Sequence, residues 1–142
     1  MDQLERPPFP GDWDGSEVTN TGAWSVGRLW IDRSRAQYCL LIGAEHCNAF
    51  GVMHGGAMAT FADAQIIAIR QHTPDPATHT PTVSLSVDYL APAPKGGWLL
   101  LTAQILRTTR TLIFSQAIIT VGDTIVARTS GIYRNTETAG AK

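Results

Sequence analysis

Asp63 is the one ionisable side chain between Ala57 and Ile69, in a run otherwise dominated by small and apolar residues. A carboxylate in such surroundings is costly to bury unless it is paired or used. Half-buried, it can act as a general base or a nucleophile. The plainer alternative is a carboxylate at a helix surface, or one paired with a basic residue of a neighbouring sheet. Just upstream stand Asn48, Gly51, His54, Gly55 and Gly56. Two glycines at a helix start leave its first backbone N–H groups bare, which suits an anion or a developing oxyanion. They can equally serve close packing of helix on sheet. His54 could cap that helix start or act as a base, and Asn48 could be a turn residue or an amide donor to a carboxyl oxygen. A polar loop group, an open helix start and a carboxylate together form a candidate active site.

Helix geometry limits how these groups can cooperate. Gly55 and Asp63 are eight residues apart, so a rise of about 1.5 Å per residue separates them by about 12 Å. Groups serving one reacting carbon should lie within about 3–4 Å of it. Two antiparallel helices related by a two-fold axis would bring Asp63 of one subunit beside Gly55 of the other. The spacing therefore predicts a homodimer with two identical sites at the subunit interface.

The elements that must position these residues follow from periodicity. Residues 1–20 carry Pro7, Pro8, Pro10, Gly11 and Gly15 and form an irregular lead-in, with Trp13 and Trp24 available to tack it to the body. Val26 to Ile31 and Ala36 to Ile42 read as a hairpin around Asp32-Arg33-Ser34-Arg35. A loop over Gly43 to Met53 leads into a helix that runs to about Arg70 and is apolar on every side, which is the pattern of a buried helix. Thr73-Pro74-Asp75-Pro76 ends it. Thr82 to Leu90 alternates, with Val83, Leu85, Val87 and Tyr89 on one face and Thr82, Ser84, Ser86 and Asp88 on the other. Further strands are expected over Trp98 to Arg107, Thr111 to Val121 and Thr124 to Arg134, the last two joined at Gly122-Asp123. The tail over 135–142 is expected to be flexible. The expectation is an α+β fold of one domain over 1–142, a curved antiparallel sheet wrapped around one long buried helix.

Composition narrows the function classes. At 142 residues with 44% apolar content, the chain can bury a sizeable core. A net charge of −1 gives no reason to expect nucleic acid or a membrane surface as partner. The early residues are acidic (Asp2, Glu5, Asp12, Asp14, Glu17), whereas Lys95, Arg107, Arg110, Arg128, Arg134 and Lys142 dominate the later ones. That asymmetry fits an anionic ligand near the last strands, or merely a solubilising surface. An acidic, proline-rich N-terminus is no secretory signal, and no run reaches the roughly 18 apolar residues of a membrane span. Cys39 and Cys47 are too few for a disulfide framework, and with His46 and His54 they lack metal-ligand spacing. A cytoplasmic protein without a metal is expected. Phe50, Met53, Phe61 and Trp98 could line an aryl or medium-chain pocket, or could simply be core.

Asn48-x-x-Gly51-x-x-His54-Gly55-Gly56, followed by Asp63, resembles the hotdog-fold acyl-CoA thioesterases of the phenylacetic acid degradation (PaaI-like) type. The resemblance runs from about Val26 to Arg134. It includes Tyr89-Leu90-Ala91-Pro92, the Arg107-x-x-Arg110-Thr111-Leu112-x-Phe114 turn, and Ile125-Val126-Ala127-Arg128 with Tyr133-Arg134. It implies hydrolysis of an acyl-CoA to a free acid and coenzyme A, with Asp63 as nucleophile or general base. Gly55 N–H would polarise the thioester carbonyl, Asn48 would orient substrate or water, and His54 would order the helix start. Thr82 matches the hydroxyl residue that the family places near the carboxylate, with Ser84 as the fallback. Gly56, Ser84, Phe50 and Met53 are candidate substrate contacts. The resemblance also implies a dimer, commonly paired again into a tetramer, and no cofactor beyond the coenzyme A of the substrate. A non-catalytic acyl-CoA-binding module and a hotdog hydratase or dehydratase remain as alternatives.

Overall fold

The computed structural model describes residues 5–15, 26–66 and 80–135. Expectations for Trp24, for the helix past Ile66, for the Thr73-Pro74-Asp75-Pro76 break and for the tail past Asn135 lie outside the described residues. The elements are β1 (Trp30–Asp32), β2 (Gln37–Leu41), α1 (Gly55–Asp63), β3 (Thr82–Tyr89), β4 (Trp98–Thr108), β5 (Leu112–Val121) and β6 (Thr124–Arg134). One antiparallel sheet of order β1-β2-β4-β5-β6-β3 packs one face against α1, which is the hotdog arrangement. Among the described residues no helix is long and apolar enough to cross a membrane.

The first hairpin is shorter than its apolar runs suggest. Residues 26–29 are outside β1, and a 3-10 turn over Arg33–Arg35 reverses the chain. Asp32 drives that turn: it is buried, and it accepts from Ser34 N at 3.0 Å and from Asp12 N at 2.9 Å. Burial alone would push its carboxyl up, but these hydrogen bonds and that of the Ser34 hydroxyl leave it below the ordinary range.

The core lies between α1 and the inner sheet face. Met58, Phe61 and Ala62 of α1 meet Tyr38, Leu40, Leu99, Leu101, Ile119 and Val126. Phe61 is fully buried, 4.8 Å from the Tyr38 ring, and its burial contributes about 1.5–3 kcal/mol. On the outer face, Trp13 of the lead-in packs with Trp30 and Cys39, and Phe9 stands edge-on to Trp98. Burial pushes the Cys39 thiol up to about 12, which leaves it protonated and inert.

The two sheet edges differ. Asp14 exchanges both backbone hydrogen bonds with Ile31, at 2.9 Å each, so the lead-in covers β1. Among the described residues β3 pairs only with β6, and most of its residues are exposed. An uncovered edge strand with apolar residues is a template for another strand.

α1 is buried on one side, not all round. Gly56 is exposed, while Ala59, Thr60 and Asp63 are half-buried along one stripe. The uniform apolarity of the sequence therefore exceeds what the described residues cover.

Candidate active site

The groups singled out above fall into two places, one at each end of α1. At its start, Asn48 opens a tight turn closed by Gly51 N–H to Asn48 O at 3.1 Å, with Gly51 at φ 73°, where only glycine is unstrained. The Asn48 side-chain oxygen accepts from Phe50 N at 2.9 Å and Val52 N at 3.4 Å, so its carbonyl is spent on the loop and its amide N–H groups are what it can offer a ligand. Phe50, at the tip, is 89% exposed.

His46 steers the chain into the helix. Its ring accepts from Gly43 N and reaches Val26 O, and its carbonyl holds His54 N–H at 2.8 Å. Both ring nitrogens are thus committed to backbone. His54 is the N-cap: Nδ1 accepts from Gly56 N at 2.9 Å, which puts the ring proton on Nε2. The sequence suggested two bare N–H groups. The structure corrects this, because Gly56 N–H is capped and the donor of the pair without a partner among the described residues is Gly55 N–H. Close helix–sheet packing does not explain the glycines either. A Cβ on Gly55 would come nearest to the Tyr89 side chain, at an ordinary 3.6 Å, and one on Gly56 to the adjacent His54 ring, at 3.2 Å.

Beside Gly55 opens a groove of about 360 Å³ lined by Val52, Met53, Met58, Tyr89, Leu90 and Pro92 among others, with no charged side chain. Of the four candidate pocket residues, Met53 alone lines it. Phe61 is core, Trp98 packs on the outer face with Phe9, and Phe50 projects outward.

At the far end, Asp63 Oδ1 accepts from the Thr82 hydroxyl at 2.8 Å and from the Tyr133 hydroxyl at 3.3 Å. Its other carboxylate oxygen has no protein partner among the described residues. Burial, with the charge of Asp63, pushes the Tyr133 hydroxyl up, so it stays a donor.

Thr82 reaches Asp63 because of a bulge. Thr82 pairs with Tyr133 and Ser84 with Ile132, so Val83 is an extra residue. Strict alternation puts Thr82 on the face of Ser84. The bulge instead turns Thr82 to the inner face with Tyr133 and leaves Ser84 on the outer one. Ser84 is therefore not brought to Asp63.

Sequence reasoning missed the supports of this end. Fully buried Gln65 donates to Ala62 O and Thr129 Oγ1 and accepts from Ser115 Oγ at 2.7 Å. The Tyr38 hydroxyl donates to Phe61 O. The available signal was a glutamine two residues after Asp63 in the apolar run.

Over residues 50–128 the chain matches the family model described as Thioesterase superfamily. The match includes Gly55, Asp63 and Thr82 and stops short of Asn48 and Tyr133. "Putative esterase PA0474" of Pseudomonas aeruginosa is 30% identical over 94 residues, 66% of this chain and 70% of that protein. "Acyl-coenzyme A thioesterase 13" of Homo sapiens is 32% identical over 76 residues, and the match spans 54% of each. The PaaI protein of the Escherichia coli phenylacetic acid degradation operon superposes with a TM-score of 0.60 at 19% identity, covering 70% of both chains, a likeness of fold.

Proposed function

The chain belongs to the thioesterase superfamily, and on that premise we propose that this thioester hydrolase acts on an acyl-CoA, releasing a free acid and coenzyme A, with Asp63 as base or nucleophile. The observation that carries the reading is the Asp63 carboxylate itself. The Thr82 and Tyr133 hydroxyls approach one of its oxygens, and the other has no partner among the described residues, at a half-buried position. As a base it takes a proton from water as the water oxygen bonds to the thioester carbon. The Gly55 N–H stabilises the oxyanion that forms. The C–S bond then breaks and the proton goes to the thiolate. In the covalent variant the carboxylate attacks first and the C–S bond breaks to expel the thiolate. Water then cleaves the resulting anhydride and supplies the proton the thiolate takes up. Water is the only co-reactant either route needs.

Asp63 and Gly55 stand at opposite ends of a nine-residue helix, so the site is completed by a second copy of the chain. The open β3 edge and the uncovered stripe of α1 support a homodimer built there, which can pair again as a dimer of dimers. The apolar groove beside Gly55 suits an uncharged part of the substrate, with Met53 on its wall. The exposed Phe50 is available to the same ligand.

Free-thiol release from a panel of acyl-CoAs (aryl-acetyl, hydroxylated aryl, short and long straight chains) tests the reading, with Asp63→Asn alongside. Turnover is expected in the wild type and a loss of about 10²–10⁴-fold in the variant. Retained turnover in Asp63→Asn removes the carboxylate from the chemistry. Binding without thiol release by any substrate makes the protein an acyl-CoA-binding module.

A further inference from the structure

We propose that Tyr89 is a positioning residue for the oxyanion donor, acting with His54 as a clamp on the Gly55–Gly56 peptide. The inference rests on the thioesterase reading of Gly55. The Tyr89 hydroxyl donates to Gly55 O at 2.6 Å, and His54 Nδ1 accepts from Gly56 N at 2.9 Å. That oxygen and that N–H belong to one peptide unit, so a side chain holds each end of it. Tyr89 comes from the end of β3, 34 residues along the chain, and His54 is the helix cap.

The need for a clamp follows from the two glycines. Without a Cβ, each has wide backbone freedom, and the side chains nearest the place a Cβ would take are those of Tyr89 and His54 themselves. The adjoining peptide, between His54 and Gly55, carries the open N–H. Its carbonyl accepts from Met58 N at 3.0 Å, which ties it to the first helical turn but leaves its tilt to the next peptide. An oxyanion donor works only when its direction is held to about 10–20°. Fixing the Gly55–Gly56 plane at both ends supplies that restraint and leaves the donor itself uncovered.

Tyr89 does not owe its position to burial. It is 55% exposed, and in a purely packing role its hydroxyl would be dispensable. The ring and the hydroxyl can be separated experimentally, since Tyr89→Phe keeps the ring beside Gly55 and deletes only the donor.

The test is Tyr89→Phe, read by steady-state thiol release and by the backbone order parameter of the Gly55 amide in a ¹⁵N-labelled sample. We expect kcat to fall about 10-fold with KM within about twofold, because losing a whole oxyanion donor costs about 10²–10³ and this variant only loosens one. The Gly55 order parameter should fall from the rigid value of about 0.85 towards about 0.6, with the melting temperature little changed. His54→Ala and the double variant complete a cycle, and two residues clamping one peptide should be clearly non-additive. An unchanged kcat, a loss confined to KM, additive effects or an unchanged Gly55 order parameter each overturns the proposal. A wild type that releases no thiol overturns the thioesterase reading instead, and the order parameter still decides the clamp.

Discussion

Thr82 and Tyr133 divide one task at Asp63. The Thr82 hydroxyl donates to Oδ1, while the Tyr133 hydroxyl lies between Oδ1, at 3.3 Å, and the Asp63 backbone oxygen, at 3.2 Å. Together they hold this residue and leave its other carboxylate oxygen without a partner among the described residues. The shorter bond is that of Thr82, at 2.8 Å against 3.3 Å, so its loss should be felt more. Thr82→Val keeps the β-branched shape that suits the strand and removes the donor. It should lower kcat about 10-fold, well short of the Asp63→Asn loss, while Thr82→Ser should restore most of the turnover. Steady-state thiol release compares all three. Full turnover in Thr82→Val beside an impaired Thr82→Ser would mean that the methyl group, not the hydroxyl, matters at this position.

Among the elements, α1 is held to the sheet differently at its two ends. Its first turn is secured by His54 and Tyr89 at an open surface, and its last by buried groups. Gln65, just past the helix, touches Ala62 O, Thr129 and Ser115 at once. In a dry interior these bonds matter chiefly because their loss strands partners. Gln65→Leu preserves approximate volume but leaves the Ser115 hydroxyl with only a 3.4 Å contact to Gly131 O. It should destabilise the fold by about 2–3 kcal/mol, seen as a lower denaturant midpoint at unchanged slope. A midpoint unmoved by Gln65→Leu would show that water readily replaces the network. The β3 bulge belongs to the same scale. Removing the extra residue at Val83 would leave Thr82 directly before Ser84 in a regular ladder, still opposite Tyr133 and on the inner face with Asp63.

At the scale of the whole molecule, the proposed function makes Gly55 and Asp63, at opposite ends of α1, two half-sites that a second copy would complete. Completion by a second copy has a consequence that a site contained in one chain lacks. Asp63→Asn and Gly55→Val should each inactivate the protein alone. Co-expressed, they should recover activity, because a mixed dimer has one site with both defects and one with neither. Random pairing makes about half the dimers mixed, so about a quarter of wild-type turnover should return. Co-purification on two tags followed by thiol release checks this. No recovery from verified mixed dimers, or an active monomer in analytical ultracentrifugation, would put the complete site within one chain.

Several features were legible from residues alone because they depend on local chemistry. Helix rise separates Gly55 from Asp63 whatever surrounds them, alternation and turn residues mark β3 to β6 to within a residue or so, and glycine, asparagine and histidine mark the loop before α1. What the sequence by itself determined is therefore the order of elements and the separation of Gly55 from Asp63. The tertiary structure decided which groups meet. A bulge, which adds one residue without changing the alternation of types, sends Thr82 to the inner face and Ser84 to the outer. The partners of Gln65, Tyr133 and Tyr89 lie 50, 70 and 34 residues away in the chain, and no local pattern encodes contacts that form only when the sheet closes over the helix.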